Sequence, residues 1–399
     1  MQKVSRFTVF YFFLFFTTIL PFLPEFIPFL PRQISGFNLT GYAWILMLMV
    51  SLISLPGIGR ATFYVWPWIP WLLYLIIYIL IDFSFLGLQL TLQYLLPIVV
   101  GVVASSFEYS EQKLRWLAKW LIRTCSIAII GFIAGLITYG NDYIGNATTP
   151  MLLTILASLV ASVWFYSRNK KFLIFFILLF LVPSISVTRM GILAMASVFI
   201  FHFANRRLRD KLIYSSFGLI ALLIVFNSQS FQEKTFYSGR GTISDLSIDY
   251  YNNSNLRTNA RITWKRVLTP GLKAAPVWGN GPRADNAFLT KITKTRGGEA
   301  HNDYLSVRFN YGYVGLILLP LGFFGSFISI SKIYWRKIED YSLKVIASSS
   351  LTLFIAFLLF MYSDNILKYT VFFPNYFFAI LGIVYSMNLT QGLVLDLDE

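Results

Sequence analysis

Charge is what this sequence is short of. Asp, Glu, Lys and Arg together make up 13% of the chain, against about 25% in an ordinary soluble domain. By length alone, 399 residues would suffice for two soluble domains. A 56% hydrophobic share with 18% aromatics leaves too little polar surface to wrap them, which excludes that class. One cysteine, Cys125, excludes a disulfide framework and a cysteine-built metal site. There are two histidines and no His/Asp cluster at metal-ligand spacing, so no metal and no cofactor is expected. A glycine-rich phosphate loop with its lysine is also absent. The N-terminal Met1 to Arg6 precedes an apolar run, as in a signal peptide. Pro21, Pro24 and Glu25 follow in place of a small-residue cleavage site, so an uncleaved first span is expected.

What is present is apolar length. A bilayer accepts it because each helix satisfies its own backbone and shows lipid only side chains. Runs of about 17–25 apolar residues mark spans, near 7–30, 41–58, 62–81, 85–106, 116–138, 149–166, 172–188, 189–205, 212–227, 309–331, 343–362 and 370–388. The expected fold is an all-α polytopic membrane protein of about 12 transmembrane helices, with one large extracytoplasmic loop containing short helices. With the N-terminus inside, the inner connections hold groups such as Lys113, Arg115 and Lys119, or Arg206, Arg207, Arg209 and Lys211. The short outer ones hold only Arg32, Arg189 and Lys368, as the positive-inside rule requires. The formal charge of +15 is therefore a product of topology and of attraction to membrane lipids rather than a sign of nucleic acid.

The chain divides into 1–227 (helices 1–9), 228–308 (a large loop) and 309–399 (helices 10–12 and a cytoplasmic tail). The loop carries twelve Lys or Arg against six acids. A loop of that size is usually functional. Within it, Thr258 or Asn259 can cap a short helix running to about Leu268, where Pro270-Gly271 stops it. Arg257, Arg261 and Lys265 then share one helix face at i, i+4 and i+8. Trp264 and Leu268 lie on an adjoining face that can seat on the membrane or the bundle. Gly279-Asn280-Gly281-Pro282 makes a tight turn.

His301 stands just before the tenth span, in Glu-Ala-His-Asn-Asp-Tyr-Leu. A neutral imidazole there can take a proton from a hydroxyl near pH 7; the alternative is an interfacial histidine that only hydrogen-bonds. His202, beside Asn205-Arg206-Arg207 at an inner end, is read as structural. Arg189 lies between two apolar runs, where arginines face a polar cavity or snorkel to headgroups. Topology puts Arg189, the Arg257/Arg261 face and His301 on one side of the membrane. Guanidinium groups with one titratable base suit an anionic phosphate and a nucleophile that must lose a proton.

These residues resemble the motifs of the O-antigen ligase and polymerase superfamily of bacterial inner-membrane glycosyltransferases. Ser186-Val-Thr-Arg-Met-Gly191 is similar to its Ser/Thr-Arg-small motif. Arg261-Ile-Thr-Trp264 with Pro276, Gly279 and Gly281 is similar to its Arg-x-x-Trp…Pro…Gly-x-Gly stretch. His301-Asn302-Asp303-Tyr304-Leu305 with Gly312 and Gly315 resembles its His-Asn-x-x-Leu…Gly-x-x-Gly stretch. Asn310 departs from the family, many of whose members have an acid before the glycine pair, which leaves the acidic partner of His301 unassigned.

The resemblance implies a periplasm-facing, metal-independent, inverting glycosyl transfer. The donor is an undecaprenyl-pyrophosphate-linked glycan, and the acceptor a sugar hydroxyl of the lipid A core or of another glycan. His301, Arg189 and Arg261 would be catalytic: the first as general base, the arginines on the pyrophosphate. Arg257, Lys265, Trp264, Asn302 and Tyr304 would bind substrate. A single large outer loop, with only about ten residues at 139–148, favours ligase over polymerase. A transporter remains as another class, its spans poor in ionisable residues apart from Asp82 and Glu25 near span ends.

Overall fold

The structure is a computed structural model that describes residues 5–27, 29–31, 33–34, 37–57, 59–139, 148–202, 208–246, 255–257, 261–293, 299–336 and 340–395. Almost all of the regular structure is helical. In chain order the helices are α1 (Arg6–Ile19), α2 (Leu23–Phe26), α3 (Leu39–Ser54), α4 (Ile69–Ile81), α5 (Phe85–Ala104), α6 (Glu111–Tyr139), α7 (Thr148–Ser167) and α8 (Lys170–Ile185). They continue as α9 (Arg189–Phe201), α10 (Leu208–Asn227), α11 (Gln229–Thr235), α12 (Arg261–Ala274), α13 (Ala284–Thr293), α14 (Asp303–Trp335), α15 (Tyr341–Ser363) and α16 (Pro374–Leu395). A two-residue antiparallel pair, Gln33–Ile34 with Phe37–Asn38, precedes α3.

Among the described residues, six helices are long and apolar enough to cross a membrane: Arg6–Phe26, Phe85–Ala104, Glu111–Thr138, Thr148–Ser167, Asp303–Trp335 and Tyr341–Ser363. Four shorter apolar helices accompany them, among them Leu39–Ser54 and Arg189–Phe201. Side chains such as Leu80 and Ile137, 78% and 82% exposed, stand on the outside of the helices, where hydrocarbon rather than water accommodates them. The protein is an all-α, multi-pass membrane protein.

Its centre is aromatic. Phe323 of α14 and Phe357 of α15 meet with ring centroids 4.7 Å apart, and Phe354 stands edge-on to Phe377 of α16 at 4.8 Å. Elsewhere α15 is lined by Ser348, Ser349, Ser350 and Thr352, all buried. Small residues let helices approach without a gap, and their hydroxyls return bonds to the backbone. The Ser349 hydroxyl lies 2.6 Å from that of Ser158 on α7. His202, at the end of α9, places Nε2 2.9 Å from Ser162 and 3.2 Å from Ser348, and Nδ1 2.8 Å from the Val198 carbonyl oxygen. It is a buried packing residue.

These contacts set the register of α9 against α15. His202 lies near the start of α15, and the 13 residues of α9 rise roughly 20 Å from it. The two helices are packed on one another. Arg189 lies at the other end of α9, beside Arg257 and Lys234.

Two local readings of the loop are corrected. The helix expected to stop at Pro270-Gly271 runs through both to Ala274. Gly271 there faces the ring of Phe309, where any β-carbon would collide, and the Asn280 side-chain amide donates to the Gly271 carbonyl at 3.1 Å. Packing on α14 thus holds a turn that proline alone would break. Arg257 lies outside α12. Its N–H donates to the Thr235 carbonyl at 2.8 Å, next to an antiparallel bridge between Phe236 and Leu256, so the shared face comprises Arg261 and Lys265 only. The expected cap at Thr258 or Asn259, most of the 139–148 connection and the acidic tail from Asp396 lie outside the described residues.

Candidate active site

The site grows from the break before α14. Asn302 caps this helix, its side chain accepting the Leu305 N–H at 2.9 Å. A cap residue must leave helical geometry, and one step earlier His301 takes a left-handed backbone with φ 45°. The turn carries the imidazole outward, 48% exposed, and sets Nδ1 3.3 Å from Oδ1 of Asp364, which is 15% exposed.

His301 is one of several side chains that fasten this strip to the turn at 364–368. Glu299 accepts from the Asn365 side-chain amide at 2.7 Å and from the Lys368 ammonium at 3.4 Å. Asp303, fully buried, accepts the Leu367 N–H at 3.0 Å. The Tyr304 hydroxyl donates to the Leu358 carbonyl at 3.1 Å. Arg283 closes the group with a 2.9 Å ion pair to Glu299.

Beneath them is Asp285, fully buried. It accepts from Ser306 and, at 3.0 Å, from the Asn310 side-chain amide, with the Lys368 ammonium 4.0 Å away. Burial would lift its carboxyl. Lys368, the Ser306 and Asn310 hydrogen bonds and Arg283 outweigh burial and hold it below the usual carboxylate range. Glu299 follows the same pattern, burial opposed by Lys368 and Arg283, and is also held low. Asn310, the departure from the family pattern, returns the Asp285 backbone N–H to its own amide oxygen at 2.9 Å. An amide can both donate to the carboxylate and accept from the helix start, whereas an ionised acid could only accept.

The glycine motifs form the floor. Asn280 N–H donates to Phe309 and Gly281 N–H to Asn310, at 2.9 and 3.0 Å. α14 breaks at Gly312 with φ 63°, and Gly279 holds φ 88°. A β-carbon on Gly279 would strike the Asn310 carbonyl, and one on Gly312 would strike that of Val277. Both positions need glycine twice over, for the backbone angle and for the space. Tyr74 and Tyr78 of α4 brace this crossing, each donating to the Trp278 carbonyl, at 3.0 and 2.8 Å.

The basic side chains gather at the end of α9. Arg189 donates to the Arg257 carbonyl at 3.2 Å, and Lys234 of α11 donates to the Ser186 carbonyl at 2.7 Å. Burial, with Arg189 beside it, pulls the Lys234 ammonium down to about 8. The Arg257 guanidinium lies 5.5 Å from the ring of Tyr237. Arg261 opens α12, and its side chain lies outside the described residues. Lys265 is exposed, while Trp264 packs against the small core of Leu268, Leu272, Leu289, Ala300 and Phe309.

Of the residues singled out in the sequence, contacts join Arg189 with Arg257, and Asn302 and Tyr304 hold the His301 strip. Contacts among the described residues form two groups, one around Arg189 and one around His301. Spacing did not point to Lys234, Arg283, Asp285, Glu299 or Asp364. A charge directly after an otherwise uncharged apolar run was the available signal for Asp364.

The fold and this site define a multi-pass membrane protein with a histidine–carboxylate pair and a group of basic side chains around the start of α9. Residues 174–319 match the family model described as O-antigen ligase, so that stretch of the chain is similar to the O-antigen ligase/polymerase superfamily. The match takes in Arg189 and His301; Asp364 and Lys368 lie beyond it. No curated protein matches the chain.

Proposed function

We propose that the protein transfers a glycan from undecaprenyl pyrophosphate to a sugar hydroxyl of the lipid A core, as an O-antigen ligase. The observation that carries this reading is the approach of His301 Nδ1 to Asp364 at 3.3 Å, on a partly exposed imidazole. A carboxylate beside Nδ1 keeps the ring proton there and leaves Nε2 to accept another. Nε2 takes the proton of the acceptor hydroxyl as its oxygen attacks the anomeric carbon. The bond from that carbon to the pyrophosphate oxygen breaks, and the electron pair leaves on the lipid pyrophosphate. Arg189, Arg261 and Lys234 balance the leaving charge, a task of positioning and electrostatics. Displacement in one step inverts the anomeric configuration and needs no metal.

In this reading the chain crosses the bacterial inner membrane about twelve times, divided as 1–227, 228–308 and 309–399, with the site facing the periplasm. Arg257, Lys265, Trp264, Asn302 and Tyr304 line or support the substrate path. The short connection at 139–148 favours ligase over polymerase. The test is transfer in vitro from a defined lipid-linked donor, with EDTA present. His301→Ala should lose about 10²- to 10⁴-fold in rate, the usual worth of a general base, at unchanged membrane levels. Unchanged transfer would refute the reading, as would a product linkage that retains the donor configuration. Single-repeat extension products in place of transfer to the lipid A core would make the protein a polymerase.

A further inference from the structure

Lys368 is one of the three basic residues expected on short outer connections, and the proposed transfer gives it no task. Its side chain is 6% exposed and lies between two carboxylates, Glu299 at 3.4 Å and Asp285 at 4.0 Å. Burying a lone ammonium is costly, and the two acids are what hold it there. A cation so enclosed does not meet a substrate. The backbone that carries it does lead to the catalytic pair. Lys368 N–H donates to the Asn365 carbonyl at 2.9 Å, and Asn365 N–H donates to Oδ1 of Asp364, also at 2.9 Å. That oxygen is the one 3.3 Å from His301 Nδ1.

The other half of the lock is the strip that bears His301. Glu299, two residues before it, takes the Lys368 ammonium and, at 2.7 Å, the Asn365 side-chain amide. Asp303, two residues after it, takes the Leu367 N–H at 3.0 Å. Base and carboxylate thus sit on two short segments that are fastened together on both sides of His301. The fastening has little slack to give. Bonds from N–H to oxygen cluster at about 2.9–3.0 Å and are gone by about 3.6 Å. At 3.3 Å the His301–Asp364 contact opens after a slip of about 0.3 Å. We infer that Lys368 is a positioning residue: its ammonium, held by Glu299 and Asp285, sets the 364–368 turn against the His301 strip and so keeps Asp364 on Nδ1. The kinetic consequence rests on the proposed glycan transfer; the place of the ring proton rests on these contacts alone.

The chain has two histidines, His202 and His301. Full-length protein labelled with ¹⁵N-histidine and purified through a histidine-free tag therefore gives two imidazoles by NMR. His202, buried between Ser162 and Ser348, reports an intact fold. With both rings neutral at alkaline pH, the nitrogen shifts of His301 should place its proton on Nδ1 in the parent. Lys368→Met, similar in length and uncharged, should cut that Nδ1–H share by about half or more with His202 unchanged. Lys368→Arg should restore it. In transfer assays the Met variant should lose about tenfold in kcat with both KM values held, part of the roughly hundredfold that a 1 Å misplacement can cost. Combined with Asp364→Asn it should be no slower than Asp364→Asn alone, because residues acting as one unit are not additive. A parent-like ring proton in the Met variant, or losses that multiply in the double variant, overturns the inference. If the Met variant loses the His202 signal, Asn365→Ser decides by the same measure, since it removes only the amide on Glu299. A ring proton that moves as expected in a protein that transfers no glycan would sink the transferase reading and leave the positioning role standing. Transfer with an unmoved proton would do the reverse.

Discussion

His301 and Asp364 are separated by 63 positions in the chain and by 3.3 Å in the fold. One sits at the start of α14 and the other at the end of α15, so two helix termini bring the pair together. Because the carboxylate meets Nδ1, Asp364→Asn should leave the imidazole in place but let its ring proton settle on the wrong nitrogen. The expected outcome is a loss of about ten- to a hundredfold in kcat, part of the range for general base catalysis, with little change in either KM. Asp364→Glu should restore part of it. An Asn variant of full activity would remove Asp364 from the mechanism.

Arg189 offers a planar fork at the start of α9. Arg189→Lys keeps the charge and loses the two-point geometry that suits phosphate oxygens. The KM for donor should rise about tenfold or more for Lys and further for Ala, as loss of charge-assisted hydrogen bonds of about 1.5–3 kcal/mol dictates. The KM for acceptor should hold. Saturation kinetics in each substrate separate the two.

Lys234 should give the reaction a basic limb. Its ammonium is held down to about 8 by burial and by Arg189, so the free protein loses this cation as pH rises through that value. Donor capture, read as kcat/KM for the lipid-linked substrate, should fall above about pH 8, since that ratio reports groups of the free enzyme. Lys234→Arg should keep its charge and abolish this limb. A limb that persists in the Arg variant assigns it to another group.

Asp285 and Glu299 are both held below their ordinary values, so each binds its proton less readily folded than unfolded. Their contribution to stability is present above the usual carboxylate range and is lost as pH falls through the lowered folded values. Thermal unfolding in detergent should therefore show Tm flat near neutrality and dropping on acidification below about pH 4. Glu299→Gln takes the ion-pair partner from Arg283 and leaves Lys368 with Asp285 alone. Breaking a buried pair costs about 3–5 kcal/mol, so the variant should melt markedly earlier and lose the acid dependence that Glu299 supplies. A Tm equal to the parent's would show the network to be idle.

The helices were legible because a span announces itself locally, in an uninterrupted apolar run that needs no knowledge of its neighbours. The His301 and Arg189 motifs were legible for a related reason, as rare ionisable residues at the ends of such runs. Asp364 was hidden because its partner is distant in sequence and reaches it only through the packing of α14 on α15. The face of Arg257, Arg261 and Lys265 failed at Arg257 because a 3.6-residue period was extended across a boundary that a remote pairing, Phe236 with Leu256, had set. Pro270 misled in the same way. A terminator by local rules, it sits in a helix that contact with Phe309 and Asn280 sustains.

The left-handed turn at His301 sets the catalytic role proposed for its side chain against backbone comfort at a single residue. A side chain in that region costs about 1–3 kcal/mol, a tension that glycine would dissolve. His301→Gly should accordingly melt no earlier than the parent protein, while losing about as much transfer as the Ala variant, 10²- to 10⁴-fold.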